Sequence, residues 1–422
     1  MKFIRAIFFL SLCSCASTQL QKKLISVEDE FQDHIGFMIL DPTSDKPLLE
    51  YKSNKYFTPA SNTKILTFYA AMQMVKDSLP AIYYQEIGDS LIFWGSGNPA
   101  FLYEACSDTS AFNFLSQTDK NLYYSDLHFQ DKKYGPGWAW EDLKYDWCAE
   151  KSAFPIYGNA FSIAKNVETN ELNIKPKFFE SFIISVDSLD KPSVDRQLGT
   201  NNFIHHPGKG KLEKKRSFGT SGQLVADMLY DTLKKCVIYS QIRLPNDKKV
   251  LYSTISKQLL TEMMVESDNL VAEQMLLVIS GMVTDTLNTS KAINHIQENY
   301  MKYAPDKPKW IDGSGLSRYN AVTPRTLVWI LNQLYKQHGD EILNYFPVGG
   351  ESGTLKNYFK EEKPYIFAKT GTLTKHHNLS GYLRTKKGKI YIFSFMNNNY
   401  TTSSLPVKRK MEELLHDFYL NN

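Results

Sequence analysis

Apolar and polar positions fall into distinct textures along the chain. Two short apolar runs, His34–Ile39 and Pro47–Tyr51, flank the turn-forming Asp41-Pro42-Thr43-Ser44-Asp45 and predict a strand pair. Ser61–Val75 places Ile65, Leu66, Phe68, Tyr69, Met72 and Val75 at helical intervals, which predicts a helix. From about Ile82 to Arg216 that periodicity fades. Short apolar stretches such as Leu172–Ile174 and Phe178–Val186 alternate with turn clusters, among them Gly95-Ser96-Gly97-Asn98-Pro99 and Gly135-Pro136-Gly137, and predict a β-rich insertion. Asn201–Lys215 is expected as a long loop, and Thr18–Asp33 as a polar lead. Helical spacing returns over Thr220–Cys236 and Ile255–Ser280. Thr323-Pro324 supplies an N-cap and a first-turn proline ahead of Leu327–Tyr335. Leu379–Arg384 and Ile390–Asn397 read as strands joined by the basic turn Lys386–Lys389, and Val407–Leu420 as a closing amphipathic helix. The pattern is a helix–sheet domain, residues 20–81 and 217–422, split by an insertion over 82–216.

Length, 422 residues, allows two or three domains at the usual ~150 residues each. With 42% hydrophobic and 22% charged residues the chain is neither disordered nor fibrous. A net charge of +4 is a poor basis for nucleic-acid binding, and the runs Lys209–Arg216 and Lys386–Lys389 read as solvated loops or hairpin tips. Met1–Ser14 has the order of a secretory signal: basic residues, an apolar run from Ala6 to Leu12, then small residues. Its end, Leu12-Cys13-Ser14-Cys15, resembles a bacterial lipobox, which makes Cys15 the expected lipidated residue. Ordinary cleavage nearby, giving a soluble exported protein, is the alternative. No later stretch reaches the ~20 apolar residues of a membrane-spanning helix, so a lipid would be the sole membrane attachment. Cys106, Cys148 and Cys236 are too sparse for a disulfide framework; one bridge or three buried thiols both fit.

Three short motifs carry candidate chemistry. In Ser61-Asn62-Thr63-Lys64, at a helix start, positions i and i+3 share a face, so the ammonium reaches the hydroxyl. A lysine losing its proton there would act as base for a serine nucleophile. Alone the motif is equally an N-cap beside a solvated lysine, and Ser188-Leu189-Asp190-Lys191 matches it too, although Pro192 follows. Ser267-Asp268-Asn269 stands between helical stretches, where hydroxyl and amide can point together; an ordinary helix break reads the same way. Lys369-Thr370-Gly371-Thr372 follows the apolar Tyr365–Ala368. A strand edge bearing Lys and Thr, with Gly371 permitting close approach, suits a substrate lying alongside, and a β-turn would equally use the glycine. The nine histidines form no ligand pattern, and His376-His377 is expected on an exposed turn. Asp312-Gly313-Ser314-Gly315 lacks the spacing of a nucleophile elbow and reads as a tight loop near the site, with Ser314 structural.

The ordered set S-x-x-K, S-x-N, K-T-G resembles the penicillin-recognising serine acyltransferases. Together with Gly95–Pro99, Gly137-Trp138-Ala139-Trp140-Glu141-Asp142-Leu143 and Asp312–Arg318, it looks like the D-alanyl-D-alanine carboxypeptidase/endopeptidase family of low-molecular-mass penicillin-binding proteins, peptidase family S13. Two departures are a shorter insertion and Asn98 where an Asp is usual. The resemblance implies an α/β (α+β) fold of the transpeptidase/β-lactamase type, helices around an antiparallel sheet. It implies a periplasmic enzyme on peptidoglycan stem peptides that is acylated by β-lactams and needs no metal or cofactor. Ser61 would be nucleophile, Lys64 its base, Ser267 a proton relay and Lys369 its electrostatic tuner. Asn269 would bind the substrate amide, Thr370 and Thr372 the terminal carboxylate beside Gly371, and the N–H groups of Ser61 and Thr372 the oxyanion. A β-lactamase, an esterase or aminopeptidase, and a non-catalytic peptidoglycan scaffold are the rival readings.

Overall fold

The computed structural model describes residues 18–106, 108–169, 171–187 and 189–422. The signal-like Met1–Ser14, Cys15 and Ser188 lie outside the described residues. The chain divides into two compact units.

The first unit runs to Tyr69 and takes in Met263–Ser267 and Ile296–Asn422. Its strands are β1 (His34–Asp41), β2 (Lys46–Tyr51), β14 (Ile366–Leu373), β15 (His376–Arg384) and β16 (Ile390–Asn398), in the order β14-β15-β16-β1-β2. Every pairing is antiparallel. β16 is buried along its whole length, which its run Ile-Tyr-Ile-Phe-Ser-Phe-Met anticipates, since a central strand covered on both faces has no polar side. Helix α1, residues 18–31, contributes Leu24 and Val27 to the core. Helix α9 (Ser404–Asn421) contributes Val407, Met411, Leu414 and Leu415, and all share one core with Ile35, Phe37, Phe393 and Phe395 of the sheet. The polar lead is therefore a helix: a stripe as thin as Leu24 and Val27 is invisible in a polar stretch until a sheet buries it. Helix α8 (Pro324–His338) packs on β1, β15 and β16, with Thr323 as N-cap accepting from Thr326 N–H. Helix α2 (Thr63–Met74) begins in this unit.

The second unit is Ala70–Glu262 with Asp268–His295. A five-stranded sheet runs β12-β5-β4-β3-β13, from β3 (Leu79–Ile87), β4 (Ser90–Gly95), β5 (Asn121–Ser125), β12 (Val237–Tyr239) and β13 (Lys249–Ser253). One small sheet is β11-β6-β7: β6 (Ala160–Lys165), β7 (Leu172–Lys175) and β11 (Glu213–Ser217). The other is β8-β10-β9: β8 (Ile183–Ser185), β9 (Ser193–Arg196) and β10 (Phe203–His206). Two expectations are corrected here. Asn201–Lys215 is not a long loop but carries β10 and most of β11, and most of Phe178–Val186 is a 3-10 turn, Lys177–Phe182, before the short β8. Phe179 of that turn stacks on Phe161 and Phe218, so the aromatic run serves a core rather than a strand. Helices α3 (Ser110–Gln117), α4 (Gly222–Leu233) and α6 (Asn269–Thr284) lie in this unit, and α5 (Ser256–Val265) and α7 (Thr289–Asn299) begin in it. Asn98 accepts from Ala100 N–H and donates to Pro80 O, a donation that an Asp could not make. Cys106 and Cys148 are buried, Cys236 is exposed rather than a buried thiol, and none of the three is in a disulfide. Among the described residues no helix is long and apolar enough to cross a membrane.

Candidate active site

Ser61 lies in the 3-10 turn Ala60–Asn62, which feeds directly into α2. Lys64, in the first turn of that helix, is fully buried. Its Nζ donates to Ser61 Oγ at 3.1 Å and to the Ser314 carbonyl at 2.8 Å. The solvated-lysine reading of the motif is thereby excluded.

The Ser314 carbonyl is presented by the Asp312–Arg318 loop. Asp312, fully buried, accepts from the N–H groups of Gly315 (2.9 Å) and Ser317 (2.6 Å) and from Asn320 Nδ2 (2.7 Å). Its own carbonyl accepts from Trp310 Nε1 at 2.7 Å. Thr67 of α2 donates to Gly313 O at 2.7 Å, which ties the loop to the helix that carries Lys64. The tight loop is where the sequence placed it, near the site, but the role of the Asp312 carboxylate within it escaped sequence reasoning. Its neighbours Ser317 and Asn320, all within nine positions, were the only signal of a carboxylate organising its own loop.

The Lys-Thr-Gly-Thr motif occupies β14, an edge strand. A Cβ at Gly371 would lie 2.4 Å from Pro59 O and 2.8 Å from Asn62 N, so only glycine lets the strand approach the turn that holds Ser61. Asn62 Nδ2 donates to Lys369 O at 3.0 Å and fixes the same approach. Ala368 N–H points away from β15 to Pro347 O. The strand period of two aims the N–H groups of Thr370 and Thr372 in the same direction.

Lys369 is fully buried, and its Nζ donates to Ser267 Oγ at 2.8 Å and to Thr370 O at 3.0 Å. Burial, and then the charge of Lys64, hold its ammonium well below the ordinary lysine range, with Glu266 opposing. Ser267 itself has φ 64°, a left-handed conformation that turns the chain sharply between α5 and α6. Thr370 Oγ1 donates to Thr354 Oγ1 at 2.7 Å, and Thr372 Oγ1 lies 2.8 Å from His377 Nδ1. His377 is therefore not on an exposed turn. It sits in β15, in register with Thr372, and is buried. Ser61, Lys64, Ser267, Lys369, Thr370, Gly371 and Thr372 all belong to the first unit. Asn269 belongs to the second, where its Nδ2 donates to Trp147 O at 2.8 Å, behind the N-cap Asp268, which accepts from Val271 N–H and the Tyr103 hydroxyl.

Such an arrangement is suited to acyl transfer that uses lysine where other serine hydrolases use histidine: a hydroxyl beside a buried amine, and a second serine–lysine pair. A helix-and-antiparallel-sheet fold carrying these groups is that of the penicillin-recognising serine enzymes. The chain belongs to the D-Ala-D-Ala carboxypeptidase 3 (S13) family, whose profile matches residues 17–417. Among curated relatives, the D-alanyl-D-alanine carboxypeptidase DacB of Haemophilus influenzae is 22% identical over 428 residues, covering 90% of this chain and 89% of that protein. Among solved structures, penicillin binding protein 4 (dacB) of Haemophilus influenzae matches with a TM-score of 0.75 at 19% identity, over 92% of this chain and 96% of that one. A predatory peptidoglycan endopeptidase from Bdellovibrio bacteriovorus matches with a TM-score of 0.52 at 14% identity, over 91% and 93%.

Proposed function

We propose that this chain is a serine D-Ala-D-Ala carboxypeptidase acting on peptidoglycan stem peptides through an acyl-enzyme on Ser61. The observation that carries the reading is the 3.1 Å contact between Lys64 Nζ and Ser61 Oγ in a chain of the S13 family. As a neutral amine, Lys64 keeps one N–H on the Ser314 carbonyl and turns its lone pair to the serine. The Ser61 proton passes to Lys64 as Oγ bonds to the carbonyl carbon of the penultimate D-alanine. The N–H groups of Ser61 and Thr372 are the proposed donors to the oxyanion. Collapse breaks the C–N bond, and the proton returns through Ser267 Oγ, held by Lys369, to the leaving amine. Water then cleaves the ester and regenerates Ser61. Asn269 is the proposed partner of the substrate's peptide amide, and Thr370 and Thr372, spaced by Gly371, hold the terminal carboxylate. A β-lactam presents the same carbonyl and carboxylate, and is expected to acylate Ser61. Peptidoglycan as substrate agrees with export, and we propose further that Cys15 carries a lipid anchor in a periplasm-facing membrane.

Intact-mass spectrometry of residues 20–422 with a fluorescent penicillin, beside Ser61→Ala, tests the nucleophile. The expected result is a stable adduct on the wild type that is missing from the variant. Release of D-alanine from a pentapeptide, or of monomers from a cross-linked muropeptide, then names the bond cut. No adduct and no product would promote a non-catalytic scaffold, and an adduct that clears within seconds a β-lactamase. For the anchor, incorporation of an alkynyl fatty acid that Cys15→Ser abolishes is the expected outcome.

A further inference from the structure

Beside the Lys-Thr-Gly-Thr strand the first unit encloses a cavity of about 260 Å³ whose lining includes Thr354, Tyr358, Thr370, Thr372, His377 and Lys408. Lys408 comes from the first turns of α9, far along the chain from every motif. It is the one lysine among the lining residues, and no Asp, Glu or Arg joins it. Its Nζ sits 5.6 Å from the centroid of the Tyr358 ring. The half-buried ammonium has an aromatic ring beside it and no carboxylate among the residues that line its cavity, so its charge is only weakly offset there. Burial alone pulls it below the ordinary lysine range, with no acidic neighbour to raise it.

His377 refines the picture. Burial, then the charge of Lys408, push it down to about 3, so the imidazole is neutral at any physiological pH. If its Nδ1–H is the donor to Thr372, that hydroxyl keeps its own proton to give to an acceptor. Thr370 likewise sits on the cavity wall, backed by Thr354.

We propose that Lys408, reaching into this cavity from α9, is a specificity-determining cation for the terminal carboxylate assigned above to Thr370 and Thr372. The proposal rests on the acyl-transfer reading above and adds a specificity-determining residue to it. Thr372 would supply a hydroxyl donor, Thr370, whose proton is given to Thr354, would line the wall, and Lys408 would supply the opposing charge in a site partly screened from water, where a charge pair weighs more than on the surface. Ligands with a free terminal carboxylate are selected over those whose terminus is an amide.

The test pairs two probes with two measurements. Turnover of a diacetyl-L-Lys-D-Ala-D-Ala peptide and of its C-terminal amide is compared for the wild type, Lys408→Met and Lys408→Arg. Binding of the same two peptides is measured by calorimetry on Ser61→Ala, with and without Lys408→Met. The expected result is a carboxylate preference that Lys408→Met lowers by on the order of tenfold in kcat/KM and in affinity, while Lys408→Arg retains it. Equal effects of Lys408→Met on both probes, or none on either, would overturn this role of Lys408. Carboxylate-selective, Lys408-dependent binding without turnover in the wild type would support the role and overturn the hydrolase reading.

Discussion

Gly315 abuts Ala60 so closely that a Cβ on the glycine would lie 1.9 Å from the Ala60 carbonyl oxygen. Both residues hold left-handed backbone, φ 87° and 49°. The loop that supplies the carbonyl partner of Lys64 and the turn that carries Ser61 thus fix each other's position. Gly315→Ala is expected to force them apart, losing about 2–4 kcal/mol of stability from strain and overpacking. Penicillin labelling should slow by on the order of 100-fold, as misplacement of reacting groups by about 1 Å commonly does. Urea unfolding and stopped-flow labelling measure the two effects, and wild-type labelling in the variant would make the contact incidental.

Asp312→Asn separates the loop from the nucleophile. An amide has one acceptor oxygen and turns its NH₂ towards at least one of the donors that the buried carboxylate now satisfies. A loss of roughly 1–3 kcal/mol is expected, with slower labelling because the Ser314 carbonyl loses its support. Ser314→Ala keeps that carbonyl and should still be labelled, unlike Ser61→Ala. Melting curves and gel fluorescence on all three variants decide this.

Lys369 makes stability depend on alkaline pH. Its folded pKa is depressed below the unfolded value, so between the two the unfolded chain binds more protons. Stability therefore rises with pH through that window and is lower at neutral pH than it would be without the shift. Lys369→Met removes the group, and its unfolding free energy should climb less than that of the wild type from roughly pH 7 to pH 10. Coincident slopes would mean that Lys369 titrates normally.

Asp33 acts on the acid side. Burial, opposed by Asn397 and reinforced by Glu28, raises its carboxyl from 3.8 to about 6. The folded state then holds the extra proton, so the contribution to stability is complete below 3.8 and is lost as pH climbs through about 6. Asp33→Asn imitates the protonated form. It should gain roughly 1–2 kcal/mol at about pH 7.5, a little over half of that at about pH 5 and almost nothing at about pH 3, read from denaturant midpoints at all three.

What the sequence made legible follows from how local each signal is. Ser61 and Lys64 could be paired because helix geometry alone puts i and i+3 on one face. The sheet strands around β16 announced themselves by continuous apolar runs. Ser267 and Lys369 could be joined only through the order of the motifs, since no spacing rule links residues so far apart. The burial of Asp312, His377 and Lys408 was unreadable because each is polar, and what covers it, the fold of its own loop, the strand register or a distant helix, leaves no local pattern. β11 was hidden because Glu213–Arg216 shows no apolar alternation; its pairing with β6 is made by backbone groups, which every residue carries.

The outer edge of β14 is already occupied at its start, where Ala368 N–H meets Pro347 O and Gly349 N–H meets Ile366 O. A peptide laid along the strand finds its outward donors only at Thr370 and Thr372. Two backbone hydrogen bonds contribute about 1–3 kcal/mol, weaker than a millimolar grip. The edge is a short ruler: it sets the register of a ligand but cannot retain one. Retention must come from elsewhere, from the terminal carboxylate at Lys408 and from the bond proposed at Ser61, so extended peptide mimics that lack a free C-terminal carboxylate are expected to be poor inhibitors of this enzyme and small acylating agents good ones.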